Sequence, residues 1–154
     1  MAYNAGTVAT ETLDGTNTYD ALATANATSG NTIKVLNNTS ETATASVASG
    51  KTLTLNTNGK TITTSAAKGI TNNGTLIVTG TGKLNATGTA KDNTAIYNAA
   101  GAKTTISNGN VVGGYFAITN LGTLEINGGK IESTGSASAI YNNNANSTVT
   151  VTAG

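Results

Sequence analysis

A four-residue pattern recurs along the chain: a small residue, isoleucine, any residue and asparagine. The copies lie at residues 69–72, 95–98, 117–120 and 139–142, and their isoleucines are 26, 22 and 22 residues apart. An alternating, strand-like segment follows each copy. Recurrence at a nearly fixed period is typical of a fold in which each repeat stacks on its neighbours.

Each complete repeat also contains a third apolar position, which comes after a glycine-rich turn. Val78 leads to Leu84 in one repeat, and Ile126 leads to Ile131 in another. Three short strands per repeat predict an all-β fold, a right-handed single-stranded parallel β-helix, or β-solenoid. About five rungs of about 22 residues fit into residues 33–154, and like residues stacked on each other form a narrow core.

Residues 1–32 fall outside the repeat and are predicted to form an N-terminal strand and a capping helix. Residues 8–10 are a candidate edge strand, and Leu22 lies in an alanine-rich stretch, 18–25, with helical potential. This short amphipathic helix is expected to cover the first rung. Residues 39–45 contain no large aliphatic side chain and are interpreted as a polar link between strands.

The asparagines of the four-residue pattern form a column of their own. They are Asn72, Asn98, Asn120 and Asn142. Each follows the inward isoleucine by two positions, so each amide is expected to donate a hydrogen bond to the asparagine carbonyl of the next rung. A polar ligand site is the alternative interpretation, but recurrence with the period of the core favours an internal structural ladder.

Composition removes several classes of function. The sequence contains no Cys, His, Arg or Trp, so thiolate chemistry, imidazole bases and the usual zinc ligands are absent, and no metal or cofactor is predicted. The net charge is +1 and the lysines are scattered singly, so no nucleic-acid partner is predicted. The N-terminus has neither a basic leader nor an apolar segment of signal-peptide length, and membrane insertion is not expected.

The sequence also does not place two carboxylates as glycoside hydrolysis requires. Glu125 and Glu132 are the only acidic pair within one rung, and they flank the inward residues Ile126 and Ile131. Both side chains are therefore expected to point outward as solvated charges. No catalytic residue is predicted.

Two tyrosines and one loop form the candidate surface for a glycan or a protein partner. Tyr97 and Tyr141 lie two rungs apart in one outward column, where exposed tyrosine can stack on a sugar or anchor an interface. Lys91 and Asp92 supply the charges of the longest loop, 85–94. The alternatives are tyrosines that only pack over neighbouring side chains and a loop that is merely solvated.

The last strand-like segment ends without a polar helix or a charged residue that would block pairing. Val149 and Val151 alternate with threonines there and form a candidate assembly edge. A homo-oligomer, with a trimer favoured, would cover this edge. Docking of one end on a larger assembly, such as a capsid or tail, is the alternative.

Several segments of the chain resemble the repeats of pectate-lyase-like β-helix proteins. They are residues 32–36, 49–55, 58–62, 73–76 and 122–131. The resemblance covers residues 17–154 and is closer to non-catalytic members, found in phage fibre or decoration proteins and in bacterial surface adhesins. The lyases of the family carry clustered acidic calcium ligands and a basic catalytic residue, often arginine, which this sequence lacks, so lyase activity is not carried over.

The resemblance implies a non-enzymatic, structural and adhesive protein. The expected location is the virion surface of a phage, as a capsid decoration, head fibre or tail spike that displays the β-helix for attachment. A segment of a secreted bacterial adhesin, located outside the cell or on its surface, is the alternative. A polysaccharide-active enzyme is disfavoured because the carboxylate pair and its Arg or His support are missing.

Overall fold

Short strands separated by tight turns make up almost the whole molecule. The structure is a computed structural model that describes residues 6–12, 15–28 and 32–154. In chain order, the strands of this part are β1 (Val8–Thr12), β2 (Gly15–Tyr19), β3 (Thr32–Val35), β4 (Thr39–Glu41), β5 (Ala45–Val47), β6 (Thr52–Asn56), β7 (Thr61–Thr64), β8 (Lys68–Asn72), β9 (Thr75–Thr79), β10 (Lys83–Ala86), β11 (Thr94–Asn98), β12 (Lys103–Ile106), β13 (Asn110–Gly113), β14 (Phe116–Asn120), β15 (Thr123–Ile126), β16 (Lys130–Ser133), β17 (Ile140–Asn142) and β18 (Thr148–Val151). Helix α1 (Leu22–Thr28) lies between β2 and β3.

From β3 onward, each turn of the chain adds one strand to each of three parallel sheets. Sheet A has the order β18-β15-β12-β9-β6-β3-β1-β2, sheet B the order β16-β13-β10-β7-β4, and sheet C the order β17-β14-β11-β8-β5. The chain therefore winds through A, B and C in about five turns. The predicted all-β fold, a parallel solenoid of stacked coils, is confirmed.

The core consists of like residues stacked from one turn to the next. In sheet C, Ile70, Ile96, Ile118 and Ile140 are paired in register. In sheet B, Ile62, Leu84, Val111 and Ile131 form the corresponding column. Each large aliphatic side chain buried in this way contributes about 1.5–3 kcal/mol. The repeat in the sequence is thus the repeat of the core.

The first turn differs from the sequence interpretation, because residues 39–45 are not a link. Strands β4 and β5 lie there and start sheets B and C. Glu41 is buried, and its carboxylate accepts hydrogen bonds from the Thr39 hydroxyl (2.6 Å) and from the backbone N–H of Leu22 (3.1 Å) at the start of α1. The inward side chains of this turn are polar, and their hydrogen bonds are made with each other and with α1. The sequence therefore shows no repeat of apolar residues at these positions.

The N-terminal region closes one end of the solenoid. Strand β1 contains the predicted segment 8–10, but it is not an edge strand, because it pairs antiparallel with β3 on one side and β2 on the other. Helix α1 packs on β5, buries Leu22 and Ala25, and starts after β2, which occupies the first part of the predicted helical stretch. Residues 1–5, 13–14 and 29–31 of the predicted N-terminal segment lie outside the described residues.

Candidate functional site

A groove of about 350 Å³ crosses the outward face of sheet C. We call it the sheet C groove. The four residues singled out from the sequence, Tyr97, Tyr141, Lys91 and Asp92, all line it. It is completed by Lys68, Phe116, Thr119, Leu121 and Asn143. Its volume lies within the range of small-ligand pockets, about 300–1,000 Å³.

The register of sheet C sets the spacing of the two tyrosines. Tyr97 pairs with Thr119, and Thr119 pairs with Tyr141, so a small residue lies between the two aromatic ones. Strands two positions apart in a sheet are separated by about 9.6 Å. The two rings therefore project from either end of a gap whose floor is Thr119, which is itself buried by its surroundings.

Phe116 fixes the ring of Tyr141. The two rings are stacked, with centroids 4.7 Å apart and an interplanar angle of 6°. Tyr115 packs edge-on against Phe116 at 4.5 Å. Tyr141 is 37% exposed, while Phe116 is buried. With Tyr97, these residues make four of the six aromatic residues of the chain, so the aromatics are clustered here rather than scattered over the surface.

Sequence reasoning missed Phe116 and Lys68. Phe116 is the only phenylalanine in the chain and directly follows the turn 114–115, at the start of β14. It pairs with Thr94 rather than with a residue of the tyrosine column, so the repeat alone did not place it beside Tyr141. A lone large aromatic next to a Gly-Gly turn was the available signal.

Lys68 lies over the face of Tyr97. Its ammonium nitrogen is 3.5 Å from the ring centroid, the geometry of a cation–π contact. Lys91 and Asp92 lie on the exposed loop between β10 and β11, where Asp92 has a φ of 69°. Among the described residues, none of these three charged side chains forms an ion pair. The groove therefore holds two ammonium groups and one carboxylate that are not neutralised by each other.

The two glutamates that share one rung lie elsewhere. Glu125 is paired with Lys103 at 2.8 Å on the outer face of sheet A, and Glu132 is paired with Lys130 on sheet B. The hydrogen bond from Lys130 lowers the pKa of Glu132, against the opposing effect of desolvation and together with the charges of Lys130 and Lys83. Both carboxylates are engaged by lysines on different sheets, and neither lines the groove.

The asparagine column forms a continuous ladder at the corner between sheets C and A. The amide nitrogens of Asn72, Asn98 and Asn120 donate to the side-chain carbonyls of Asn98, Asn120 and Asn142, at 2.9, 2.7 and 2.8 Å. The second N–H of each donor reaches a backbone carbonyl of the following turn, for example Thr123 at 2.9 Å from Asn98. The first three asparagines are fully buried. This geometry is that of an internal structural element.

Val149 and Val151 are on the outermost strand of sheet A. They continue the inward columns of Leu124 and Ile126, but they are 37% and 63% exposed. An apolar row with unpaired backbone groups beside it is a template for a further strand.

Comparisons of the chain with protein-family models, with curated proteins and with solved structures give no match. In the residues that the structure describes, no helix has the length and apolar character needed to cross a membrane. The same residues contain no cluster of three or more His, Cys, Asp or Glu side chains arranged to hold a metal ion.

Proposed function

We propose that this chain is a non-enzymatic attachment module, displayed on the surface of a phage virion as a capsid decoration, head fibre or tail spike. The sheet C groove is the part that binds a cell-surface glycan. The observation that carries the proposal is the stacking of Tyr141 on Phe116, which holds an exposed aromatic ring at the groove in a fixed orientation. A sugar ring packs its apolar face on such a ring.

The groove is rigid, and this favours a role of Tyr141 in ligand binding over one in which it only packs on neighbouring side chains. Tyr141 loses little conformational freedom when a ligand stacks on it, because Phe116 and Tyr115 already restrict the ring. The floor and ends of the groove are strand residues of a stacked sheet, and strands position side chains more closely than free loops do. The groove is thus organised before the ligand arrives.

The arrangement of carboxylates supports binding without turnover. Glycoside hydrolysis requires two carboxylates about 5–10 Å apart across the substrate. Asp92 is the one carboxylate among the lining residues of the groove, and Glu125 and Glu132 are ion-paired on other faces. The groove can hold a sugar, but it lacks the acid and base that would cleave one.

The resemblance to non-catalytic pectate-lyase-like proteins supports the virion assignment. That resemblance extends to secreted bacterial adhesins, which would use the same groove for the same purpose. Position of the gene among capsid and tail genes would support the phage assignment, whereas a signal peptide and a wall anchor would replace it with the adhesin.

Replacement of Tyr141 by alanine is expected to weaken glycan binding at least about ten-fold, because the stacking surface is removed. Binding is measured with the labelled protein on a glycan array and then by calorimetric titration with the best ligand. Ile77→Ala is the matched control, since Ile77 is a half-buried outward residue on sheet A, away from the groove. Equal affinity of wild type and Tyr141→Ala, or release of reducing sugar by the wild type, would contradict the proposal.

Assembly is the second part of the proposal: the chain forms a homo-oligomer, with a trimer favoured, or docks on a capsid or tail through its last strand. The double substitution Val149→Lys and Val151→Lys is expected to reduce the native mass to that of one chain, because lysines on an edge strand oppose pairing. Light scattering coupled to size exclusion measures the mass.

The control for the assembly variant carries two lysines in the middle of sheet A, at the outward positions Thr52 and Thr54. These substitutions add the same charge without touching the last strand. A wild-type chain that is monomeric by itself and with purified virions would remove the assembly part of the proposal.

A further inference from the structure

We infer that the sheet C groove selects a saccharide that carries an anionic group, and that Lys68 is the residue that determines this selectivity. The inference rests on the proposed glycan-binding function and names the class of glycan. A carboxylate, sulfate or phosphate substituent would provide the same recognised chemistry, a negative charge fixed on a sugar ring.

The charged side chains that line the groove are the first reason to expect an anionic ligand. Elsewhere on the solenoid, Lys103 and Lys130 are paired with glutamates, whereas Lys51 and Lys60 form no ion pair among the described residues. In the groove, Lys68 and Lys91 have no ion-pair partner among the described residues, and Asp92 has none either. Two cations and one anion leave a local excess of positive charge in a chain whose net charge is only +1. An anionic ligand is therefore attracted to this groove.

The fixed position of Lys68 is the second reason to expect an anionic ligand. Its side chain is half-buried and its ammonium group lies 3.5 Å above the ring of Tyr97, so the group has a defined place at one end of the groove. A cation–π contact uses the electrostatic attraction of the ring without an anion, and leaves the N–H groups able to donate to a ligand. A charge that is already positioned loses less side-chain entropy on binding than a free surface lysine.

The two ends of the groove are therefore expected to bind different parts of the ligand. Tyr141 provides the stacking surface at one end, and Lys68, over Tyr97, provides the cation at the other. The register of sheet C separates the two tyrosines by two strand spacings, about 9.6 Å. An extended disaccharide with one anionic ring fits this arrangement, its neutral ring on Tyr141 and its anionic group at Lys68. Asp92 and Asn143, both exposed, are available to the hydroxyl groups between them.

The test uses pairs of oligosaccharides that differ only in charge. They are sialyllactose and lactose, a sulfated disaccharide and its desulfated parent, and a sugar phosphate and its free sugar. Affinities are measured by calorimetry or by NMR titration of the folded, full-length chain. We expect the anionic member of at least one pair to bind about five-fold or more tightly at low salt, and the difference to shrink at 0.5 M NaCl. The pair with the largest ratio identifies the anionic group.

Lys68→Met keeps an unbranched side chain, shorter by one heavy atom, and removes its charge. We expect it to bring the ratio of anionic to neutral affinity close to one, because the anionic member loses much more affinity than the neutral member. A residue with only a structural role would weaken both members together. Lys51→Met is the control, because Lys51 is an exposed lysine in the turn between β5 and β6 and does not line the groove.

The outcomes separate this inference from the proposed function. Tyr141-dependent binding with equal affinity for charged and neutral members would overturn the selectivity and leave glycan binding intact. Equal loss of both members in Lys68→Met would overturn the role of Lys68. Absence of binding by every oligosaccharide would overturn the proposed function and this inference together.

Discussion

Replacement of Asn98 by alanine is expected to lower the free energy of unfolding by about 3–5 kcal/mol. Asn98 is completely buried, and its amide donates to Asn120 and to the backbone carbonyl of Thr123. Its side-chain carbonyl accepts hydrogen bonds from Asn72 and from the Thr104 hydroxyl. Alanine would leave several buried polar groups without partners, each at a cost of about 1–3 kcal/mol, offset partly by relaxation. Chemical denaturation followed by circular dichroism measures the change.

Asn142→Ala is the matched control for the ladder. Asn142 is the last member, it is exposed, and it only accepts the hydrogen bond from Asn120. Water can replace the lost group there, so the expected change is below about 1 kcal/mol. Equal effects of the two substitutions would mean that the ladder does not stabilise the fold through buried hydrogen bonds.

Replacement of Gly113 by alanine is expected to cost about 4 kcal/mol or more and to abolish ligand binding at the sheet C groove. A Cβ at Gly113 would lie 1.9 Å from the carbonyl oxygen of Phe116 and 2.4 Å from the backbone nitrogen of Ala117. These are backbone atoms, so the turn before β14 must move. Phe116 moves with it and no longer fixes Tyr141. Denaturation and glycan titration of the same preparation measure both effects.

Gly101→Ala is the control that separates the effect of a steric clash from the effect of backbone conformation. Gly101 has a φ of 77°, but a Cβ there would meet no other atom within 4 Å. Only the conformational cost of about 1 kcal/mol is expected, with glycan binding unchanged. If Gly113→Ala were as stable as Gly101→Ala and still bound the ligand, the close approach at residue 113 would not control the groove.

The stacked core and the tyrosine column were accessible from sequence because both follow the repeat. Once Ile96 and Ile118 are aligned, the residues next to them, Tyr97 and Thr119, are aligned as well. The same register placed Asn98 beside Asn120. The period of the core therefore specified the relative positions of residues that lie more than 20 positions apart along the chain.

Features that break the repeat could not be predicted from the sequence in this way. Glu41 and Thr39 occupy inward positions of the first turn, where hydrogen bonds with each other and with α1 replace apolar contacts. Phe116 lies outside the tyrosine column, and the approach of Lys68 to Tyr97 depends on a side-chain conformation. Each depends on a tertiary contact between residues whose spacing in the chain follows no period.

The placement of Tyr97 and Tyr141 on alternate turns also determines how the groove can vary between related chains. Insertion or deletion of a complete turn between them would move the two rings by one strand spacing, about 4.8 Å, and would keep their orientation. Insertions in the loop at Lys91 would instead change one wall and leave that distance constant. The length of the recognised ligand would thus evolve in discrete steps, while the chemistry of the wall could change gradually.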